Sequence, residues 1–177
     1  MRRALDFLFD AAGVLAAFFV FAIFASMLAT TTMRELGLRT GGWEDMVSWL
    51  TAAAAFFGLA HTFKHGDFVR VELLLSKVAP GMRRALEIAA LAIGSVFIGY
   101  LAVFTTLYVI DSWRLGDMSG GLLVVPIWIP QSSFVLGAWL LFIAVVDELQ
   151  IVLRGGRPTY VAAVEARHAR GDFTEDV

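Results

Sequence analysis

Charged residues are scarce in this chain, and long stretches contain none at all. Asp, Glu, Lys and Arg make up 17% of the residues, whereas an average soluble domain has about 25%. Residues 11–33, 88–110 and 118–146 contain none of these four types and no His. A fourth stretch, residues 46–63, is interrupted only by His61. Each stretch reaches the roughly 18 residues that mark a transmembrane candidate. The sequence therefore predicts a multi-pass membrane protein with four spans.

Cysteine is absent as well, which removes disulfide bonds and thiolate chemistry. The sequence has no Ser/His/Asp arrangement, no phosphate-binding loop and no pair of carboxylates placed for acid–base catalysis. A transporter that itself moves a polar solute usually has charges or paired Gly/Pro breaks inside its spans. The predicted spans have no ionisable residue deep inside them. We therefore interpret the chain as an accessory or scaffold subunit and not an enzyme, and we predict no cofactor, metal ion or nucleic-acid partner.

The predicted fold is all-α, with four transmembrane helices. They are placed at about 11–33, 44–64, 85–110 and 130–150. The first is interpreted as a retained signal anchor, because its apolar run exceeds the roughly 7–15 residues of a signal-peptide core.

Between the second and third spans, the pattern of about residues 66–80 predicts a short interfacial helix. Phe68, Val71, Leu74, Leu75 and Val78 recur at helical spacing and give this segment one apolar face. Residues 1–153 are then expected to form one membrane domain, and residues 154–177 a polar cytoplasmic tail.

The distribution of Lys and Arg predicts an orientation. Eleven of the 14 lie in the N-terminal segment, the 64–84 connector and the tail, and three lie in the other two connectors. Positive residues are retained in the cytoplasm, so both termini are expected inside. Trp43, Trp113 and Trp128 then fall near outer span ends, where Trp is favoured. Trp139 lies in mid-span and is expected to pack against another helix.

A stripe of small residues follows one face of the third span. Its members, three or four residues apart, are Ala85, Ala89, Ala92, Ser95, Gly99, Ala102 and Thr106. Small side chains let helix backbones approach closely in a membrane, so the stripe favours a helix–helix seam. The alternative is that Ala and Gly are simply common in such helices.

Two histidines at the end of the second span share one helix face. His61 and His65 are four residues apart, as helical metal ligands are, but the metalloprotease pattern needs Glu where Thr62 stands. No third ligand is near them in the sequence. We interpret the pair as a polar helix end, with Lys64 extending its charge towards water. Glu44 and Asp45 likewise suit a first helical turn.

Three groups of residues resemble motifs of one family. Trp43-Glu44-Asp45 resembles its entry to the second span, and residues 64–72, KHGDFVRVE, resemble the exit. Gly116, Ser119, Pro126, Trp128 and Pro130 resemble its G…S…P-x-W-x-P stretch. The chain is therefore similar, over about residues 5–155, to the small membrane subunit of tripartite ATP-independent periplasmic (TRAP) transporters. It departs from that pattern in Phe68, where His is frequent, and in Glu72, where Asp is commoner.

The resemblance implies a role and two partners. The small subunit would brace a large, many-span subunit that carries solute and sodium in the bacterial inner membrane, and a periplasmic binding protein would deliver a carboxylate-type solute. Partner-interface candidates are Trp43, Glu44, Arg70, Glu72, Ser95, Gly99, Ala102, Thr106, Arg114, Asp117, Pro126, Trp128 and Pro130. The alternatives are the small subunit of a different tripartite carboxylate transporter and a four-helix membrane enzyme of the glutathione-using type. That enzyme would need an Arg/Glu-rich cofactor site.

Overall fold

A computed structural model describes residues 2–65, 80–156 and 158–161, and within these ranges the chain forms four long helices. They are α1 (Arg2–Glu35), α2 (Trp43–His65), α3 (Pro80–Leu115) and α4 (Trp128–Leu153). All four are long and apolar enough to cross a membrane. Each contains one of the predicted spans, so the all-α class and the four spans are confirmed. Residues 66–79, which cover the predicted interfacial helix, lie outside the described residues.

Three of the helices end in the same way, at a glycine with left-handed backbone. After α3, the N–H of Gly116 (φ 67°) donates to the carbonyl of Trp113, and the N–H of Asp117 donates to the carbonyl of Ser112. This pair of bonds is a Schellman motif, which satisfies carbonyls that the helix leaves unpaired. Gly37 and Gly155 end α1 and α4 with the same bonds.

The helices stand in a row and not in a closed ring. Extensive contacts join α1 to α2, α2 to α4, and α4 to α3. The chain therefore runs up and down, with α2 and α4 in the centre and α1 and α3 at the edges. We call the end where α2 and α4 finish the Lys64 end, and the opposite end, where they begin, the Trp43 end.

Small residues bring the two central helices together. A Cβ added at Gly137 of α4 would lie 2.6 Å from the backbone carbonyl carbon of Phe56 in α2. Ala60 of α2 and Ala144 of α4 are fully buried with Phe9 of α1 in one apolar cluster. Because lipid tails are as apolar as Leu, close packing of this kind supplies the attraction between helices.

The predicted small-residue stripe lies partly in the seam between α3 and α4. Ala102 is fully buried, and a Cβ at Gly99 would lie 2.8 Å from the ring of Phe142. The indole N–H of Trp139 donates to Thr106 Oγ1 over 3.0 Å, so Trp139 packs against another helix as expected. The stripe therefore makes a contact inside this chain, and its contact with a partner subunit stays a prediction.

Candidate functional site

The Lys64 end is closed by a charged cluster that joins the two central helices. Lys64 Nζ of α2 lies 2.8 Å from Asp147 Oδ2 and 3.2 Å from Glu148 Oε1, both of α4. The Lys64 side chain is 10% exposed and that of Glu148 is fully buried. Lys64 Nζ also lies 5.6 Å from the centre of the Phe9 ring of α1, within range of a cation–π contact. The ammonium group of this α2 residue thus contacts two other helices, α4 and α1.

The chain after α4 returns to this cluster. The backbone N–H of Thr159 donates to Glu148 Oε2 over 2.9 Å. Tyr160, which is buried, packs edge-on against Phe63 of α2 with ring centres 6.2 Å apart. Both oxygens of Glu148 therefore have protein partners, one from Lys64 and one from Thr159. This arrangement binds helices and the start of the tail together.

The interpretation that Lys64 extends its charge towards water is therefore wrong. Its ammonium group is paired with two carboxylates instead, because α2 and α4 lie side by side and run in the same direction, which brings Lys64 level with Asp147 and Glu148. A buried carboxylate needs a cation and hydrogen-bond donors to remain charged, and this site provides both. The sequence contained the signal, Asp-Glu at the end of one span and Lys at the end of another, but not the adjacency of the two helices.

Side chains also tie the edge helices to the same end. Arg84 Nη2 of α3 donates to the carbonyl of Val152 over 3.3 Å, at the end of α4. His61 Nδ1 of α2 lies 3.1 Å from the carbonyl of Phe9 in α1. A carbonyl oxygen only accepts, so the Nδ1 of His61 carries a proton and donates it.

The histidine pair has a third neighbour that was not visible in the sequence. His65 Nε2 lies 3.6 Å from Asp10 Oδ1 of α1, and the two imidazole rings have centres 4.1 Å apart. Asp10, His61 and His65 each offer one ligand atom within 4.8 Å of the others. These residues could hold a metal ion. The spacing of His61 and His65 could be read from the sequence, but their partner on α1 depends on the packing of α1 against α2.

The Trp43 end is built differently, from two connectors that pack against each other. The 116–127 connector folds back on itself through an antiparallel bridge between Met118 and Pro126. Ser119 is buried inside it, where its hydroxyl donates to the carbonyl of Leu123 and its Oγ accepts from Val125 N–H. The resemblance motif that includes Ser119 and Pro126 thus builds this loop.

The 36–42 connector packs against this loop through glycine. Gly42 has φ 86°, and a Cβ there would lie 2.8 Å from Leu123 Cδ1. A side chain at this position would therefore meet both backbone strain and a close neighbour.

The predicted interface residues lie in separate places. The Trp43 end has Trp43, Glu44, Arg114, Asp117, Pro126, Trp128 and Pro130. Of these, Glu44, Arg114, Asp117 and Trp128 are exposed. Ser95, Gly99, Ala102 and Thr106 lie along α3. Arg70 and Glu72 lie outside the described residues. The structure thus brings one group of candidates together, beside the connectors.

Comparison with known proteins identifies the family. Residues 23–155 match the family described as tripartite ATP-independent periplasmic transporters, DctQ component. No curated protein matches the chain. The match covers α2, α3 and α4 completely, both connectors of the Trp43 end and the Lys64–Asp147–Glu148 cluster. This chain belongs to the DctQ family, the small membrane component of TRAP transporters.

Proposed function

We propose that this chain braces the large membrane subunit of a transporter that imports a carboxylate-type solute with the help of a periplasmic binding protein and an ion gradient. The family supports the tripartite assembly. The solute class, the sodium gradient and the bracing role come from the resemblance to the family's small subunits. A row of packed helices suits such a role, because it widens the surface against which another subunit moves.

We assign α3 as the helix that docks on the large subunit. Tyr100 lies near the middle of α3, its side chain is 62% exposed, and its ring stacks on Phe104 with centres 4.1 Å apart. The Tyr100 hydroxyl makes no hydrogen bond to the part of the chain that the structure describes. A hydroxyl left unpaired in hydrocarbon is costly, so a polar group of a neighbouring subunit is its natural partner. This is the observation that supports the docking face.

The other edge helix provides the contrast. The exposed face of α1 includes Val14, Phe18, Phe21 and Phe24, which have no polar side-chain atoms and suit lipid. The two edges are therefore chemically different, and the one with the mid-membrane hydroxyl is better suited to a protein neighbour.

Co-purification tests this assignment. Tyr100→Ala is expected to reduce the amount of large subunit that co-purifies in detergent by about tenfold, the effect of losing an aromatic residue at the centre of an interface. Phe21→Ala on α1, 65% exposed in the free chain, is the matched control and should leave the yield unchanged. Loss with Phe21→Ala alone would move the interface to α1, and a chain that never retains the large subunit would overturn the bracing role.

We also propose that the Lys64 end faces the cytoplasm of a bacterial cell, with both termini inside. The excess of Lys and Arg at that end supports it. Because the chain has no cysteine, a single introduced cysteine can be labelled specifically. We choose Gly81→Cys at the Lys64 end and Gly120→Cys at the Trp43 end, since a side chain at either position meets no atom within 4 Å. A membrane-impermeant maleimide should label Gly120→Cys in spheroplasts and Gly81→Cys only after permeabilisation. The reverse pattern would invert the orientation.

A further inference from the structure

We propose that Asp10, His61 and His65 form a binding site for a divalent transition-metal ion of the zinc class, between α1 and α2. Such a site is separate from the proposed docking face on α3 and does not depend on it. It would connect an edge helix to the central pair through coordination bonds.

The three side chains converge with nearly the spacing that such an ion needs. In tetrahedral zinc sites, bonds of about 2.0–2.1 Å place neighbouring ligand atoms about 3.3 Å apart. His65 Nε2 and Asp10 Oδ1 are 3.6 Å apart, and the ligand atoms of all three residues lie within 4.8 Å of one another. Side-chain rotation would have to close the remaining difference, and water would complete the coordination.

The imidazole rings are already oriented as metal ligands usually are. His61 Nδ1 donates to the carbonyl of Phe9 over 3.1 Å, and His65 Nδ1 donates to the carbonyl of His61 over 3.0 Å. Metal-bound histidines almost always donate their other ring N–H to a carbonyl or carboxylate, which fixes the tautomer. With both Nδ1 atoms protonated in this way, the lone pair of each ring lies on Nε2.

Packing of α1 leaves space for this arrangement. A Cβ added at Gly13 would lie 2.6 Å from His61 Nδ1, so only glycine lets the ring lie against α1 at this height. The side chains of His65 and Asp10 are 42% and 62% exposed, so an ion can reach them from the Lys64 end. The neighbouring charge of Lys64 is matched by two carboxylates and so does not oppose a bound cation.

The donor set selects the class of ion. Two imidazole nitrogens and one carboxylate suit Zn²⁺, Ni²⁺, Co²⁺ or Cu²⁺, whereas Mg²⁺ and Ca²⁺ prefer oxygen ligands alone. Zn²⁺ and Co²⁺ are therefore the probes to use. Co²⁺ reports its own coordination, since its visible absorption strengthens when it is bound with fewer than six ligands.

Titration of the full chain, purified in detergent without a histidine tag, tests the site. We expect one Zn²⁺ per chain by calorimetry, and a Co²⁺ absorption band that Zn²⁺ displaces. Asp10→Asn and His65→Ala should each weaken the affinity by about tenfold or more, and His61→Ala/His65→Ala should abolish binding. His168→Ala is the matched control, because it removes the third histidine of the chain, and should leave the affinity unchanged.

Two results would overturn the proposal. One is a wild-type chain that binds no stoichiometric Zn²⁺, and the other is a His61→Ala/His65→Ala chain that binds Zn²⁺ as tightly as the wild type. Asp10→Asn keeps the test valid if the histidine variants fold poorly, because Asp10 is largely exposed and the substitution preserves its size. Its elution as a single species would show that weaker binding comes from the lost ligand.

Discussion

The two ends of the helix row are held together by different interactions. At the Lys64 end, long side chains from different helices meet, and charge and hydrogen bonds join Lys64, Asp147, Glu148 and Thr159. At the Trp43 end, backbone hydrogen bonds fold the 116–127 connector, and the 36–42 connector packs against it where Gly42 approaches Leu123. The Lys64 end therefore depends on electrostatic pairing of buried groups, and the Trp43 end depends on close steric fit between its connectors.

This difference indicates which end of the helix row tolerates amino-acid substitutions better. A buried ion pair has little net stabilising effect while intact, but removing one partner leaves an uncompensated charge, which costs about 3–5 kcal/mol. A side chain introduced at a packed glycine can displace the neighbouring side chain, so the protein loses part of its stability and no charge is left unpaired. The Lys64 end should therefore respond to single substitutions more sharply than the Trp43 end.

The largest expected effect comes from Lys64→Met. It leaves Asp147 and the fully buried Glu148 without their cation, so the free energy of unfolding should fall by about 3–5 kcal/mol. Unfolding by SDS in mixed detergent micelles measures it. Lys64→Met/Glu148→Gln is the control, because it removes the unpaired buried charge and should recover part of the loss. Equal stability of Lys64→Met and the wild type would show that the pair does not form.

An intermediate effect is expected from Gly42→Ala at the Trp43 end. A left-handed backbone at a residue with a side chain costs about 1–3 kcal/mol, and the new Cβ also meets Leu123. Gly120→Ala is the matched control, since it lies in the partner connector with ordinary backbone and no atom within 4 Å. The same unfolding assay should separate the two variants. A Gly42→Ala loss that exceeds that of Lys64→Met would reverse the comparison of the two ends.

The smallest effects distinguish two neighbouring arginines at the start of α3. Arg84→Ala removes bonds to the end of α4 and should cost about 1 kcal/mol. Arg83→Ala removes an exposed pair with Glu87 in the same helix and should cost less than about 0.5 kcal/mol. Thermal unfolding in detergent can rank them. Equal effects would mean that the contact between α3 and α4 adds nothing at this end.

Much of the architecture followed from local composition. The spans were placed from runs without charge, and each lies inside a helix of the structure. Part of the stripe along α3 was correctly expected to form a helix–helix seam, because small residues at a spacing of three or four are readable without knowledge of the partner helix. The family was recognised from the order of short motifs, which the match over residues 23–155 confirms.

The clusters at the Lys64 end were less predictable. Lys64 was interpreted alone, because its carboxylate partners lie 83 and 84 residues away in the sequence. Asp10 was overlooked beside the histidines for the same reason. A charged residue at a helix end indicates a position near the membrane surface, but it does not indicate which other helix lies beside that residue.

Sequence alone thus determined how many helices cross the membrane, where they lie in the chain and to which family they belong. The spans follow from hydropathy, which each segment possesses independently of the others, and the family follows from short motifs and their order along the chain. Only the tertiary structure decided that the helices form the row α1–α2–α4–α3, that Lys64 meets Glu148 and that Asp10 meets His65. The physical reason is that burial in lipid does not select neighbours, whereas the close fit of Gly137 against Phe56 and of Gly13 against His61 does.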